Sequence, residues 1–237
     1  MTQNTIKFSD KFLPDQREHS YHYQGNTFPQ SLYEVICHAS GIESPHNEFL
    51  LDYTEKFTVE EMASNPVGLK FLQFIIKVSG VKRVLEIGAF IGVSAMYFAQ
   101  ALPEDGEVVT IEKFDHFAAI ARKNFEKNQL SQKIKLIEGD AFEIISGLPI
   151  EDKFDMVFID GNKERYLEYM KATEPLLSAK GIMIVDDVFF HGDALNSKPV
   201  TEKGEGVKAV LDYSAGLHDW IRIALPLANG ILMMVRK

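Results

Sequence analysis

Long apolar runs are missing from this chain, and none approaches the roughly 20 residues that a membrane-spanning helix needs. The opening segment, Met1-Thr2-Gln3-Asn4-Thr5-Ile6-Lys7, lacks the apolar core of a signal peptide. Cysteine is almost absent. With Cys37 alone no intrachain disulfide can form, so the cytoplasm is the default compartment and Cys37 reads as packing. Basic charge is also short: 25 Lys and Arg stand against 34 Asp and Glu, for a net charge of −9. A non-specific grip on nucleic acid needs a basic surface, so this balance counts against such a partner. Internal repeats and low-complexity segments are lacking as well. What remains is 237 residues, 46% hydrophobic and 25% charged, enough for one large globular domain and too few for two.

The stretch that organises the chain runs from Arg83 to Ser94. Val84-Leu85-Glu86-Ile87 suits a buried strand, Gly88 and Gly92 follow, and Val93 to Ala99 reads as a helix. A strand, a glycine turn and a helix N-terminus present backbone N–H groups to a ligand. Glycine suits the tight turn and the close approach of a ligand. The spacing is Glu-x-Gly-x-x-x-Gly, so the third glycine of the dinucleotide fingerprint is missing and an acid precedes the first. An acid repels pyrophosphate and attracts a cationic amine, which favours S-adenosylmethionine over NAD. Plain turn chemistry is the competing reading of two such glycines.

Residues 1–30 show no period and read as an N-terminal arm, with His19, Tyr21, His22 and Tyr23 clustered in it and no recognised metal-ligand spacing. Residues 31–237 read as one domain. Helices are expected from Ser31 to Ala39, from His46 to about Phe57, and from Val67 to about Val78 with Pro66 in its first turn. After the glycine turn, helices and strands alternate. Helices are expected at Val93 to about Leu102, Phe114 to about Asn128, a short one after Ala141, and Glu164 to about Leu177. Strands are expected at Val108–Ile111, Ile134–Ile137, Phe154–Ile159 and Ile182–Val185. Phe189 to Gly206 reads as a surface loop and Val207 to about Ala215 as a helix. Trp220–Leu225 and Ile231–Val235 read as a hairpin around Asn229-Gly230. The fold class is therefore α/β: a doubly wound, Rossmann-like, mostly parallel seven-stranded sheet with helices on both faces and an antiparallel C-terminal hairpin.

Acids recur at the strand ends: Glu86 within the first, Glu112, Asp160 and Asp186-Asp187. Ligands of open parallel sheets bind beyond the carboxyl ends of strands, so these acids should share one rim. Glu112 suits both hydroxyls of a ribose, or else is an exposed helix-entry acid. Asp140 and Ala141 would lie beside an adenine. Asp160, Asp186 and Asp187 together repel unless a cation or protons compensate. Mg²⁺, Ca²⁺ or Mn²⁺ would supply that charge, while helix capping by one or two of them is the alternative. Lys163, beside a metal and a sulfonium, would be pushed towards its neutral form and could act as a general base; a salt-bridged surface lysine is the other reading.

With these segments in order, the sequence resembles the metal-dependent O-methyltransferases of the caffeoyl-CoA and catechol type, from about Ser31 to Lys237. The resemblance is carried by Ser31-Leu32-Tyr33-Glu34, Met62-Ala63-Ser64, Glu86 through Ser94, Leu102 through Gly106, and Asp160-Gly161-Asn162-Lys163-Glu164-Arg165-Tyr166. It implies that Ser64, Glu86, Gly88, Ala89, Ser94, Glu112, Ala141 and Asn162 hold S-adenosylmethionine. It further implies that Asp160, Asp186 and Asp187 bind a divalent cation, usually Mg²⁺, and that Lys163 matches the lysine proposed as base. His191 falls where the plant enzymes place a substrate-contacting Asn, and dimers are usual. This chain departs from the pattern at Asp187, commonly Asn, where the extra charge should tighten metal binding and blunt Lewis acidity. Glu112 and Asn162 replace frequent Asp residues, and Asn229 stands where Asp is often found. The expected reaction is methylation of a hydroxyl on a small acceptor whose two adjacent oxygens chelate the ion. A transfer-RNA methyltransferase of the same fold, a non-catalytic cofactor-binding module and an NAD oxidoreductase are the rivals.

Overall fold

The computed structural model describes residues 30–42, 48–52 and 62–237. The expected N-terminal arm and most of the helix expected from His46 to Phe57 lie outside the described residues. Helix α1 covers Gln30–Ala39, one residue earlier than expected. Helix α2, Pro66–Ser79, has Pro66 in its first turn, where the missing N–H costs nothing, and Asn65 accepts from Val67 N as its cap. It buries Leu69, Leu72 and Ile76 and stops at Gly80, whose backbone is left-handed (φ 67°).

Then come strand β1 (Arg83–Ile87), helix α3 (Val93–Ala101), β2 (Glu107–Glu112), α4 (Asp115–Lys127), β3 (Ile134–Glu138), α5 (Ala141–Gly147) and β4 (Phe154–Ile159). Helix α6 (Tyr166–Thr173) leads to β5 (Leu177–Val185), helix α7 (Glu202–Ala215), β6 (Trp220–Leu225) and β7 (Ile231–Arg236). The seven strands pair in the order β3-β2-β1-β4-β5-β7-β6; the first five are parallel, and β7 is antiparallel to β5 and β6. Successive side chains alternate between faces. Val84, Met156 and Phe158 pack with Leu72, Met96 and Phe125 of α2, α3 and α4. Leu85, Val157 and Ile159 pack with Met170 and Val210 of α6 and α7 on the other face. That is the doubly wound arrangement expected.

Two segments differ from the expectation. The helix expected from Glu164 to Leu177 is a 3-10 turn (Lys163–Arg165), then α6, then a second 3-10 turn (Glu174–Leu176). Pro175 has no N–H to continue the ladder, so the chain enters β5 at Leu177, five residues early. A register shift then lies between the Phe154–Leu177 and Met156–Ile182 pairs. The run from Phe189 to Gly206 is not a plain loop. It holds a 3-10 segment (Phe190–Leu195) and the first turns of α7, whose cap Thr201 accepts from Gly204 N at 3.0 Å. Gly204 and Gly206 lower helix propensity, which hid this start; close packing requires them. A Cβ at Gly206 would stand 2.4 Å from the carbonyl oxygen of Lys163.

Candidate active site

The chain winds one way from β1 to β2 and the other way to β4, so a crevice opens between the carboxyl ends of β1 and β4. Gly88 ends β1 and Asp160 ends β4, and their backbones touch. A Cβ at Gly88 would stand 2.3 Å from the Asp160 carbonyl oxygen, and its φ is +96°. Gly92 has φ +86° and backs onto the ring of Phe125, 2.2 Å from where its Cβ would be. The glycines are thus required by left-handed backbone and by close approach of protein to protein, a reason the spacing alone does not give. The turn is held from below by Asn124, fully buried, whose Nδ2 donates to Ile91 O at 2.9 Å. No pattern in the sequence singled out Asn124.

Glu86 lies inside the sheet rather than at the rim. Its Oε2 accepts from Thr110 Oγ1 at 2.5 Å, and Oε1 is buried without a hydrogen-bond partner among the described residues. Burial pushes its carboxyl up to about 7, against the pull of the Ser94 and Thr110 hydroxyls. Ser94 is buried in the first turn of α3, and Ala89 is buried in the turn, its N–H on Ile111 O at 3.2 Å. Glu112, at the tip of β2, is nearly buried and takes backbone N–H groups on both oxygens: Phe90 N on Oε2 at 2.8 Å and Phe114 N on Oε1 at 2.9 Å. Burial raises its carboxyl pKa, and these N–H groups oppose the rise. Asp140, expected beside an adenine, caps α5 through Phe142 N at 3.0 Å and pairs with Lys113; Ala141 is the first residue of that helix. Asn162 accepts from Glu164 N at 3.3 Å and caps the 3-10 turn.

The acids of β4 and β5 lie beside this glycine cradle on neighbouring parallel strands. Asp160 Oδ2 accepts from Ser64 Oγ at 3.2 Å; Oδ1 accepts from Lys163 Nζ at 3.2 Å and Tyr166 Oη at 3.1 Å. Lys163 Nζ also reaches Asp187 Oδ2 at 2.8 Å. Asp186 Oδ1 accepts from Asp187 N at 2.9 Å. Burial pushes Asp186 well above the usual carboxylate range, and the charges of Asp160 and Asp187 add to the rise. Burial raises Asp160 too, against the pull of Lys163. Asp187 is only partly buried, and against that burial its carboxyl is held low by Lys163, His191 and Asn229. Its backbone is left-handed (φ 56°), as are those of Phe190 and His191 (φ 41° and 53°); Asp and Asn tolerate that region best, which explains the residue types usable at 187.

The neutral form expected of Lys163 is tied to a metal and a sulfonium beside it. Burial would lower its pKa, but Asp187, Tyr166 and Asp160 raise it well above the ordinary lysine value. The like charges invoked from the sequence belong to ligands, whereas the protein's own groups around it are negative. Among the described residues no three Asp, Glu, His or Cys side chains are disposed to hold an ion, and the Lys163 ammonium stands between Asp160 and Asp187. In donor type and charge the trio fits a hard divalent cation; in this arrangement two of its oxygens are committed to Lys163. Asp193, which the sequence did not flag, organises the wall next to His191. Buried, it accepts from Val200 N, Thr201 N and Thr201 Oγ1 at 2.7, 3.0 and 2.6 Å, tying the chain after the 3-10 segment to the cap of α7.

With the fold and this rim in view, comparison with known proteins decides the identity. The family model described as O-methyltransferase matches residues 38–237. The chain belongs to the O-methyltransferase family. A caffeoyl-CoA O-methyltransferase of Zea mays is 30% identical over 218 residues, which cover 86% of this chain and 84% of that enzyme. A catechol O-methyltransferase of Niastella koreensis is 31% identical over 141 residues, 59% of this chain and 64% of that enzyme. The structure of the O-methyltransferase TomG from Streptomyces achromogenes, involved in tomaymycin synthesis and in complex with SAM, superposes with a TM-score of 0.67. It is 25% identical and covers 89% of this chain and 91% of that one. This O-methyltransferase accordingly transfers methyl groups from S-adenosylmethionine, and the NAD and non-catalytic readings fall away. Among the described residues no helix is long and apolar enough to cross a membrane.

Proposed function

We propose that this O-methyltransferase methylates a hydroxyl of a small acceptor carrying two adjacent oxygens, of the catechol, phenylpropanoid, flavonoid or enol type, with a divalent cation, most simply Mg²⁺, as its partner. The observation that carries the reading is the meeting of Asp160, Asp186 and Asp187 with Lys163 beside the Gly88 turn. Three carboxylates, one buried and two partly buried, with one lysine leave negative charge uncompensated, and an ion of charge +2 balances it. When bound, the ion supplies Lewis acidity and a fixed seat for two acceptor oxygens.

In this reading the chain's own residues do the rest. Glu86, with its orphan oxygen, and Glu112 receive the amine and ribose of S-adenosylmethionine. Ser64, Gly88, Ala89, Ser94, Asp140, Ala141 and Asn162 line the cofactor's place, and Ser64 also orients Asp160. Lys163 takes the acceptor's proton, and His191 faces the acceptor. The donor is an activated sulfonium, so positioning supplies much of the barrier reduction. The names of the caffeoyl-CoA and catechol relatives support the acceptor class. A homodimer belongs to the same proposal, and sedimentation velocity tests it.

A screen of vicinal-hydroxyl compounds with labelled methyl donor, with Mg²⁺ and with excess chelator, tests the function. Turnover should require the ion and be lost in Asp160→Ala with the circular dichroism of the fold unchanged. Full turnover in chelator would overturn the metal role, and turnover on bulk RNA alone would overturn the acceptor class.

A further inference from the structure

Two of the three acids, Asp160 and Asp187, already share a cation of the protein. Lys163 Nζ bridges Asp160 Oδ1 at 3.2 Å and Asp187 Oδ2 at 2.8 Å, with all three side chains mostly buried. The other oxygen of Asp160 is taken by Ser64, so both oxygens of that carboxylate already receive hydrogen bonds. An ion on these carboxylates would stand within a few ångströms of the ammonium in a poorly solvated place, where two positive charges repel strongly. The main chain of Lys163 cannot yield, since Gly206 of α7 packs directly on its carbonyl. The four-carbon stem can, since only the ammonium is held and it has three rotatable donors.

We propose that Lys163 is the resident counter-ion of the metal-free site and that metal loading is an exchange: the divalent ion takes the oxygens of Asp160 and Asp187, and the Lys163 ammonium is displaced from them into the crevice. Asp187 is central to this exchange, because its carboxylate makes the shorter of the two ion pairs. An amide at that position could not hold the lysine in the same way. One consequence is that the lysine would reach the acceptor only after the ion is in place. The inference rests on the metal-dependent reading above.

The test uses the full chain without S-adenosylmethionine and Mn²⁺ alone as probe. Titration calorimetry compares the parent with Lys163→Met, which keeps an unbranched stem and removes the charge, and with Lys163→Arg, which keeps the charge. Lys163→Met should bind Mn²⁺ about tenfold more tightly than the parent, and Lys163→Arg should not. On the parent itself, acetic anhydride labelling read by mass spectrometry should find Lys163 protected without Mn²⁺ and several-fold more reactive with it, which keeps the proposal testable if Lys163→Met fails to fold. Equal or weaker Mn²⁺ binding by Lys163→Met, or Lys163 reactivity unchanged by bound Mn²⁺, would overturn the exchange and leave the metal reading standing. Absence of Mn²⁺ binding in the parent and in Lys163→Met alike would overturn both.

Discussion

The two halves of the strand-end rim compensate their acids by different means. In the half formed by β1 and β2, Glu112 is held by backbone N–H groups and Glu86 by a hydroxyl, under a turn whose path two glycines and Asn124 dictate. In the half formed by β4 and β5, Asp160 and Asp187 share the ammonium of one lysine, and Asp186 takes only the Asp187 N–H. Main-chain donors cannot leave, so the first half keeps its shape whatever occupies the crevice. A side-chain ammonium can be replaced, so the second half is set by which cation is present. On the proposed reading, a rigid place for the methyl donor sits beside an adjustable seat for the reacting groups.

The contrast can be broken hardest at the point where the halves touch. Gly88→Ala puts a methyl group against the Asp160 carbonyl at a left-handed backbone position, and should cost about 3 kcal/mol or more of stability. Urea denaturation reads it, and a variant as stable as the parent would show that the two loops are not in register as described.

Glu86 offers a subtler test, without cofactor. Its native pKa near 7 lies above the ordinary 4.5, so the folded state binds more protons than the unfolded one between those values. The sign follows: this contribution to stability is full below about pH 4.5 and is lost as pH rises towards 7. Glu86→Gln should abolish that decline and exceed the parent at pH 8 by up to about 3 kcal/mol. It should at the same time weaken S-adenosylmethionine binding. Parallel stability profiles of the two proteins from pH 5 to pH 8 would refute the buried proton.

The smallest effect is expected at Ser64, whose hydroxyl gives Asp160 one hydrogen bond at 3.2 Å. Ser64→Ala should cost about 1 kcal/mol. It should raise Mn²⁺ affinity far less than Lys163→Met does, if charge and not hydrogen-bond number controls the second half.

Much of the fold could be read in advance because its signals are local. Short, almost uniformly apolar strands, Pro66 opening α2, the Asn229-Gly230 turn and the alternation of helix and strand all act within a few residues. The failures came where a distant partner overrode local preference. Gly204 and Gly206 read as loop because their use, packing against Asp193 and the Lys163 backbone, is invisible along the chain. Pro175 is a local signal whose consequence, an early β5 with a register shift, depends on β4. Asp193 and Asn124 carried no signal, since a buried polar side chain is recognised by its partners and not by its neighbours in sequence.

The site divides in the same way. Spacing alone placed Gly88, Glu112, Asp160 and the Asp186-Asp187 pair at the carboxyl edge of a parallel sheet, because strand direction and side-chain alternation follow from the order of residues. The charge state of Lys163 and the loneliness of a Glu86 oxygen were decided by tertiary structure alone. Both depend on burial and on distances of a few ångströms between strands far apart in sequence, and over such distances electrostatic energy changes faster than any pattern of residues can record.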